Sequence, residues 1–199
     1  MIQPKCTIYL LNVCLDDGER GIHREVLVPE TLTLLDLHSV LQIVFGWNES
    51  HMHLFNIKGI TFSDQLADGR DGDEVEREDV TLGEMISSVG RKFIYEYDFG
   101  DSWTHRITVK KISPDLGDQF LPVCLSGEKA APPEDCGGVP GFMNLVEIFE
   151  KRAAKKKLFD DDLNMLEWVG EDYDPHHFDL KQVNKELKKA FQKKPKKSK

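Results

Sequence analysis

Apolar and polar positions alternate along the first part of the chain in runs whose period switches between that of a strand and that of a helix. Residues 5–15 (Lys-Cys-Thr-Ile-Tyr-Leu-Leu-Asn-Val-Cys-Leu) read as a buried strand ended by Asp16-Asp17-Gly18. A second strand over about 22–28 stops at Pro29, and the turn-rich 16–21 segment between them has the length of a hairpin connection. Thr33 and Asp36 form a capping-box pair, and Leu34, Leu37, Val40, Leu41 and Val44 then recur on one helical face that Gly46 closes. A strand at about 51–58 puts His51, His53, Phe55 and Ile57 on one face. Residues 64–79 carry eight acids against two Arg with no apolar period, which predicts a mobile surface loop. Thr81 and Glu84 repeat the capping box and predict a short helix ending at Gly90.

The clearest strand signal lies in residues 92–112. Phe93, Tyr95, Tyr97 and Phe99 alternate, Phe99-Gly100-Asp101-Ser102 makes a turn, and Trp103, His105, Ile107 and Val109 alternate on the next strand. This pattern predicts that Tyr95 and Trp103 are core residues. Ser113 to Gly141 holds five Pro and five Gly, too long for a casual loop, so it is functional or a packed cover. Three helices are predicted after it, marked by Phe142, Leu145, Val146 and Phe149, by Leu163, Leu166 and Val169, and by Leu180, Val183, Leu187 and Phe191. The expected fold is α+β: an antiparallel sheet built from hairpins, helices packed on it, and a helical C-terminal third. We expect residues 1–192 to form a single domain and residues 193–199 a disordered, Lys-rich tail.

At 199 residues, 40% hydrophobic and 31% charged, the composition is that of a soluble globular chain with a real core. No apolar run approaches the roughly 18 residues a membrane span requires, so no membrane association is expected. The net charge of −9 hides an asymmetry: residues 181–199 hold nine Lys and one acid, which leaves the first 180 residues at −17. An acidic body repels a nucleic-acid backbone, while the Lys tail offers weak, non-specific affinity for one. Four cysteines at 6, 14, 124 and 136 are too sparse for a disulfide scaffold. Cys6 and Cys14 on one strand stand too far apart to bond. With no secretion signal at the N-terminus, a reducing cytoplasm is the expected location.

Several chemical motifs are excluded. Asp98-Phe99-Gly100 lacks the glycine-rich loop, strand lysine and catalytic loop that a kinase requires, and reads as a hairpin turn. There is no G-x-S-x-G nucleophile elbow, no phosphate-binding P-loop and no dinucleotide fingerprint. Cys124 and Cys136 stand alone, without C-x-x-C or H-x-x-x-H, so spacing assigns no metal site, and no cofactor can be named. The remaining candidates are ionisable groups beside aromatic strands: His51, His53, Asp98, Asp101, His105, Glu134 and Asp135. Groups of this kind need each other or a ligand to offset desolvation, and the stiff Pro132-to-Gly138 segment is a natural lid over them. We expect at least three of His51, Asp98, Asp101, His105, Glu134 and Asp135 to line one cleft.

Tyr95-Glu96-Tyr97-Asp98-Phe99-Gly100-Asp101-Ser102-Trp103-Thr104-His105 and Pro132 to Gly138 together resemble the signature of the Ri-plasmid ORF-three-like family. Leu37-His38 and Gly46-Trp47 followed by His51 belong to the same resemblance, which runs from about Tyr9 to Leu187. It implies an α+β domain of a kind often carried on plasmids or beside transposon genes, with some members labelled resolvases. Two positions depart from the pattern: Ala131 stands where many members have Cys, and His23 where Trp is frequent. The first departure removes a possible thiol ligand. Resolvase chemistry fails on the residues: a serine recombinase needs an N-terminal nucleophilic Ser beside an Arg cluster, whereas the first serine here is Ser39, mid-helix. Two readings remain open. One is a non-catalytic binding or accessory module associated with mobile genetic elements, its partner a protein or ligand of unknown identity. The other is a metal-assisted hydrolase using His51, His53, Asp98, Asp101 and His105.

Overall fold

The computed structural model describes residues 7–17, 21–63, 75–114, 117 and 120–192. Cys6, most of the acidic 64–79 segment and the Lys-rich 193–199 tail lie outside the described residues. Among the described residues, eight strands form one sheet: β1 (Thr7–Leu15), β2 (His23–Pro29), β3 (His53–Ile57), β4 (Ile60–Phe62), β5 (Val75–Glu76), β6 (Lys92–Tyr97), β7 (Trp103–Pro114) and β8 (Val123–Glu128), in the order β5-β4-β3-β6-β7-β1-β2-β8. Five helices accompany it: α1 (Leu34–Phe45), α2 (Leu82–Met85), α3 (Gly138–Ala153), α4 (Asp160–Val169) and α5 (Leu180–Phe191). The architecture is α+β. The sheet is mixed and mostly antiparallel, which corrects the all-antiparallel expectation: β5 pairs with β4 in parallel.

Register explains why the alternation was readable. His53 pairs with Tyr97 and Tyr97 with Trp103; Phe55 pairs with Tyr95, Tyr95 with His105 and His105 with Leu15. Paired residues share a face, so these side chains stack into transverse rows on one side of the sheet, and all except Leu15 are at most 1% exposed. α1 lies over those rows. Thr33 caps it reciprocally with Asp36, and Gly46 ends it in the left-handed region at φ +75. Phe45 and Trp47, at and just past its end, pack against the His105 ring.

The inner face also holds a cation. Arg24, on β2, is almost fully buried and donates to the carbonyls of Val44, His23, Glu128 and Lys129. Its guanidinium sits 4.0 Å from the Phe178 ring centroid and 5.0 Å from that of Phe45. Burial brings its pKa down to about 10. Carbonyl oxygens and aromatic faces replace the hydration of a charge that ordinarily stays at the surface.

Three local expectations change. Residues 75–79, assigned to a mobile loop, contain β5 and the fully buried Glu78. α2 ends at Met85, well before Gly90. The Ser113–Gly141 segment contains strand β8, whose edge is met by α5: Asn184 accepts from the Cys124 N–H and donates to the Cys124 carbonyl, both at 2.8 Å.

Candidate functional site

Two loops meet where β3 begins and β6 ends. Because His53 pairs with Tyr97, the chain entering β3 runs beside the turn leaving β6, and His51 comes to rest against Asp98. Asp98 builds that turn. It occupies the left-handed region (φ +57), its Oδ1 accepts from the N–H groups of Gly100 and Asp101, and its N–H donates to Met52. The turn thus holds a carboxylate that is only 9% exposed.

The second loop is pinned along its length. Tyr173 donates its hydroxyl to the Ala131 carbonyl, and the Trp47 indole N–H donates to the Pro132 carbonyl at 2.9 Å. Glu134 Oε1 accepts from the Asn48 N–H and the Tyr97 hydroxyl. The Gly137 N–H donates to Asp101 Oδ2 at 3.1 Å. At its far end Gly141 is obligatory, because a Cβ there would stand 1.8 Å from the Cys136 carbonyl oxygen. The rigid 132–138 loop is therefore held by side chains from β6, the β6–β7 turn and the segment after α1.

Between the loops sits the His51 ring. Its Nδ1 is 3.7 Å from Asp98 Oδ1, and its Nε2 is 3.6 Å from Glu134 Oε2 and 3.3 Å from Asp135 Oδ1. Nε2 and Glu134 Oε2 are sealed from solvent, yet neither has a hydrogen-bond partner among the described residues. Ligand atoms of His51, Asp98 and Asp135 all lie within 4.8 Å of one another, close enough that small side-chain rotations would bring them onto one metal ion. Tyr97 closes the floor, its ring stacked on Trp47 at 4.9 Å. Burial, with the hydrogen bond to Glu134 second, holds its phenol well above the usual range. Cys136, next to Asp135, is buried, and burial together with the neighbouring Asp101 carboxylate pushes its thiol up to about 12. A thiol so far from ionisation is neither nucleophile nor ready metal ligand.

Of the seven residues singled out in the sequence, His51, Asp98, Glu134 and Asp135 are thus brought together. Asp101 braces the 132–138 loop through Gly137. His53 and His105 lie elsewhere, in the core. His53 does not point with His51, because His51 precedes β3 and escapes its alternation. Its Nε2 pairs with Glu78 Oε1 at 2.9 Å, and its ring stacks on His38 at 3.5 Å. His105, fully buried, has Nδ1 3.0 Å from the Trp103 carbonyl, and burial lowers its pKa to about 3. His38 is likewise lowered to about 3, by burial and then by His53. Gln42 donates to the Tyr95 hydroxyl oxygen, which leaves the phenol proton to His38 Nδ1 at 2.8 Å. Sequence reasoning missed Glu78, hidden in an acidic run, and gave no role to Tyr97 or Trp47, whose polar atoms hold the loop.

A cavity of about 280 Å³ opens beside the cluster, lined by Asp135, Cys136, Asp161, Asn164, Met165 and Trp168. Asp135 belongs to both the cluster and the cavity wall. The other wall is α4, none of whose residues is buried and whose Trp168 is 50% exposed.

Residues 7–182 match the family described as plasmid pRiA4b ORF-3-like protein. The chain belongs to that family. Among its relatives, the uncharacterised protein y4hQ of Sinorhizobium fredii is 35% identical over 182 residues, 90% of each chain. The crystal structure of the protein of unknown function MM3350 from Methanosarcina mazei Go1 superposes with a TM-score of 0.78 at 30% identity, covering 89% of this chain and 96% of that one. Strands β1–β8, helices α1–α4 and both loops of the cleft lie within residues 7–182, the stretch that matches the family, and most of α5 lies beyond it. No described helix is long and apolar enough to cross a membrane.

Proposed function

We propose that this plasmid pRiA4b ORF-3-like protein is a binding module that receives a small ligand in the cavity between the 132–138 loop and α4. The observation that carries this reading is the exposed Trp168 beside Met165 and Asn164 on the wall of a concave, loop-backed cavity. An aromatic face, an apolar neighbour, one amide and the Asp161 carboxylate on α4, set against the Asp135 carboxylate on the opposite wall, are the composition of a pocket for a planar, partly polar molecule. The pinned 132–138 loop supports the reading too, because a preorganised wall avoids the ordering cost of binding.

Resolvase catalysis is not part of it, since the first serine, Ser39, lies within helix α1. The five-residue hydrolase reading weakens with His53 and His105 committed to the core. We further propose that residues 1–192 are one domain with a helical C-terminal third, that the protein is cytoplasmic and associated with mobile genetic elements, and that the Lys-rich tail adds weak nucleic-acid affinity.

The test is a screen of small planar fragments by saturation-transfer NMR, on the full chain and on Trp168→Ala. Fragments that bind the wild type and are lost in the variant, with its melting temperature unchanged, support the reading. An absence of hits, or hits indifferent to Trp168, overturns it.

A further inference from the structure

We infer that His51, Asp98 and Asp135, with Glu134 as a fourth donor, form a binding site for one divalent transition-metal cation. Three observations converge on it. The first is geometric. Atoms bonded to one such ion at about 2.1 Å stand roughly 3–4 Å apart, and the donor atoms here lie within 4.8 Å of one another. Small side-chain rotations close that gap, and the most exposed donor, Asp135 at 73%, is free to make one.

The second is polar bookkeeping. His51 Nε2 and Glu134 Oε2 are screened from water, lack hydrogen-bond partners among the described residues and face each other at 3.6 Å. Asp98 is nine-tenths buried beside them, its Oδ1 engaged by the turn. Polar atoms placed together and left unmatched cost free energy unless something bridges them. A cation accepts lone pairs from an imidazole and several carboxylates at once, which no single side chain or water does.

The third is charge. Three carboxylates converge on one imidazole, and no Lys or Arg pairs with any of them among the described residues. A divalent ion supplies the missing counter-charge. One nitrogen with three oxygens is a mixed donor set that suits Mn²⁺ or Zn²⁺ and lacks the thiolates of a structural zinc site. Tyr97 and the Asn48 N–H hold Glu134 in place by its other oxygen, leaving Oε2 for the ion.

Spacing in the sequence did not show this site because its donors are 47, 36 and 1 residues apart along the chain. The β3–β6 register and the loop pins bring them together. Since Asp135 also lines the α4 cavity, a carboxylate or phosphate on a ligand there would reach the ion's open positions; that extension alone rests on the cavity reading above.

The experiment uses untagged full-length protein, stripped with EDTA, dialysed and titrated with MnCl₂ or ZnCl₂ by calorimetry, with Mn²⁺ also followed by electron paramagnetic resonance. One equivalent of either ion should bind with a dissociation constant below about 10 µM and raise the melting temperature. His51→Ala, Asp98→Asn and Asp135→Asn should each weaken binding at least tenfold. Asp135→Asn sits on an exposed side chain, so its result stands even where a core variant fails to fold. Absence of a stoichiometric site, or binding that survives both His51→Ala and Asp135→Asn (as loose binding to the acidic 64–79 run would), overturns the inference. Trp168→Ala should leave Mn²⁺ affinity unchanged while abolishing fragment binding, so failure of the metal site and failure of the cavity are read separately.

Discussion

Tyr97 donates its hydroxyl to Glu134 across 37 residues of chain, and the same oxygen accepts the Ser50 N–H. One phenol therefore ties the strand β6, the entry to β3 and the 132–138 loop into a single frame around His51. Tyr97→Phe removes both bonds at a half-buried site. We expect a loss of about 1 kcal/mol in urea denaturation, the usual net consequence of losing such bonds. Mn²⁺ affinity should drop several-fold as Glu134 loses one of its two anchors. A variant matching the wild type in both measurements would remove Tyr97 from the frame.

Trp103 offers a test of core packing uncomplicated by hydrogen bonding. Its side chain is fully buried and its indole N–H has no partner among the described residues. Trp103→Ala should cost about 3–5 kcal/mol through the cavity it leaves. Trp103→Phe should cost well under half of that, because no bond is lost with the N–H. Equal losses in the two variants would mean that the N–H has a partner after all.

Acid should unfold the protein through two histidines outside the cleft. Burial lowers the pKa of both His38 and His105 to about 3, so the folded state keeps them neutral where the unfolded chain takes up protons. Above about pH 6.5 they are neutral in both states and stability does not depend on them. Below it the unfolded state is favoured progressively, down to about pH 3. Each ring should cost about 2 kcal/mol by pH 5. Urea denaturation at pH 7 and pH 5 measures the loss, and His38→Asn should remove about half of it. Equal stability at the two pH values would refute the assignment.

Gly141→Ala probes the start of α3. A Cβ 1.8 Å from the Cys136 carbonyl oxygen collides with backbone, which has little freedom to retreat while Asp101 and Trp47 hold the same loop. We expect about 3 kcal/mol of destabilisation, at the upper end for overpacking. Ligand and metal binding should fall with it as the loop shifts. A neutral result in thermal melting would show the loop to be pliant.

Much of the fold was legible because local signals agreed with the tertiary structure. The Thr33 box, the 34–44 apolar stripe and Gly46 mark α1 to the residue, and the Phe93–Val109 alternation matches the inner-face rows. What escaped was decided by distant partners. β8 is an edge strand in a Pro- and Gly-rich stretch, with Cys124 its only fully buried residue. Glu78 looks like any acid in an acidic run, and its buried pairing with His53, 25 residues away, shows only in the folded chain. His51 and His53 look equivalent by spacing, yet the strand begins between them and sends one ring to the cleft and the other to the core. The candidate acids were visible as residue types, and their meeting depended on a register that no short motif encodes.

The double hydrogen bond between Asn184 and Cys124 has a consequence for how copies of this chain behave in a crowded solution. An amide side chain that both donates to and accepts from one strand residue imitates a neighbouring strand for one step of the ladder, and α5 presents it on the outer side of β8. Exposed edges invite a second molecule to add its own strand, the first event in many forms of aggregation. Asn184 occupies that docking position from within the molecule, so the sheet ends at its eighth strand instead of offering a template for a ninth.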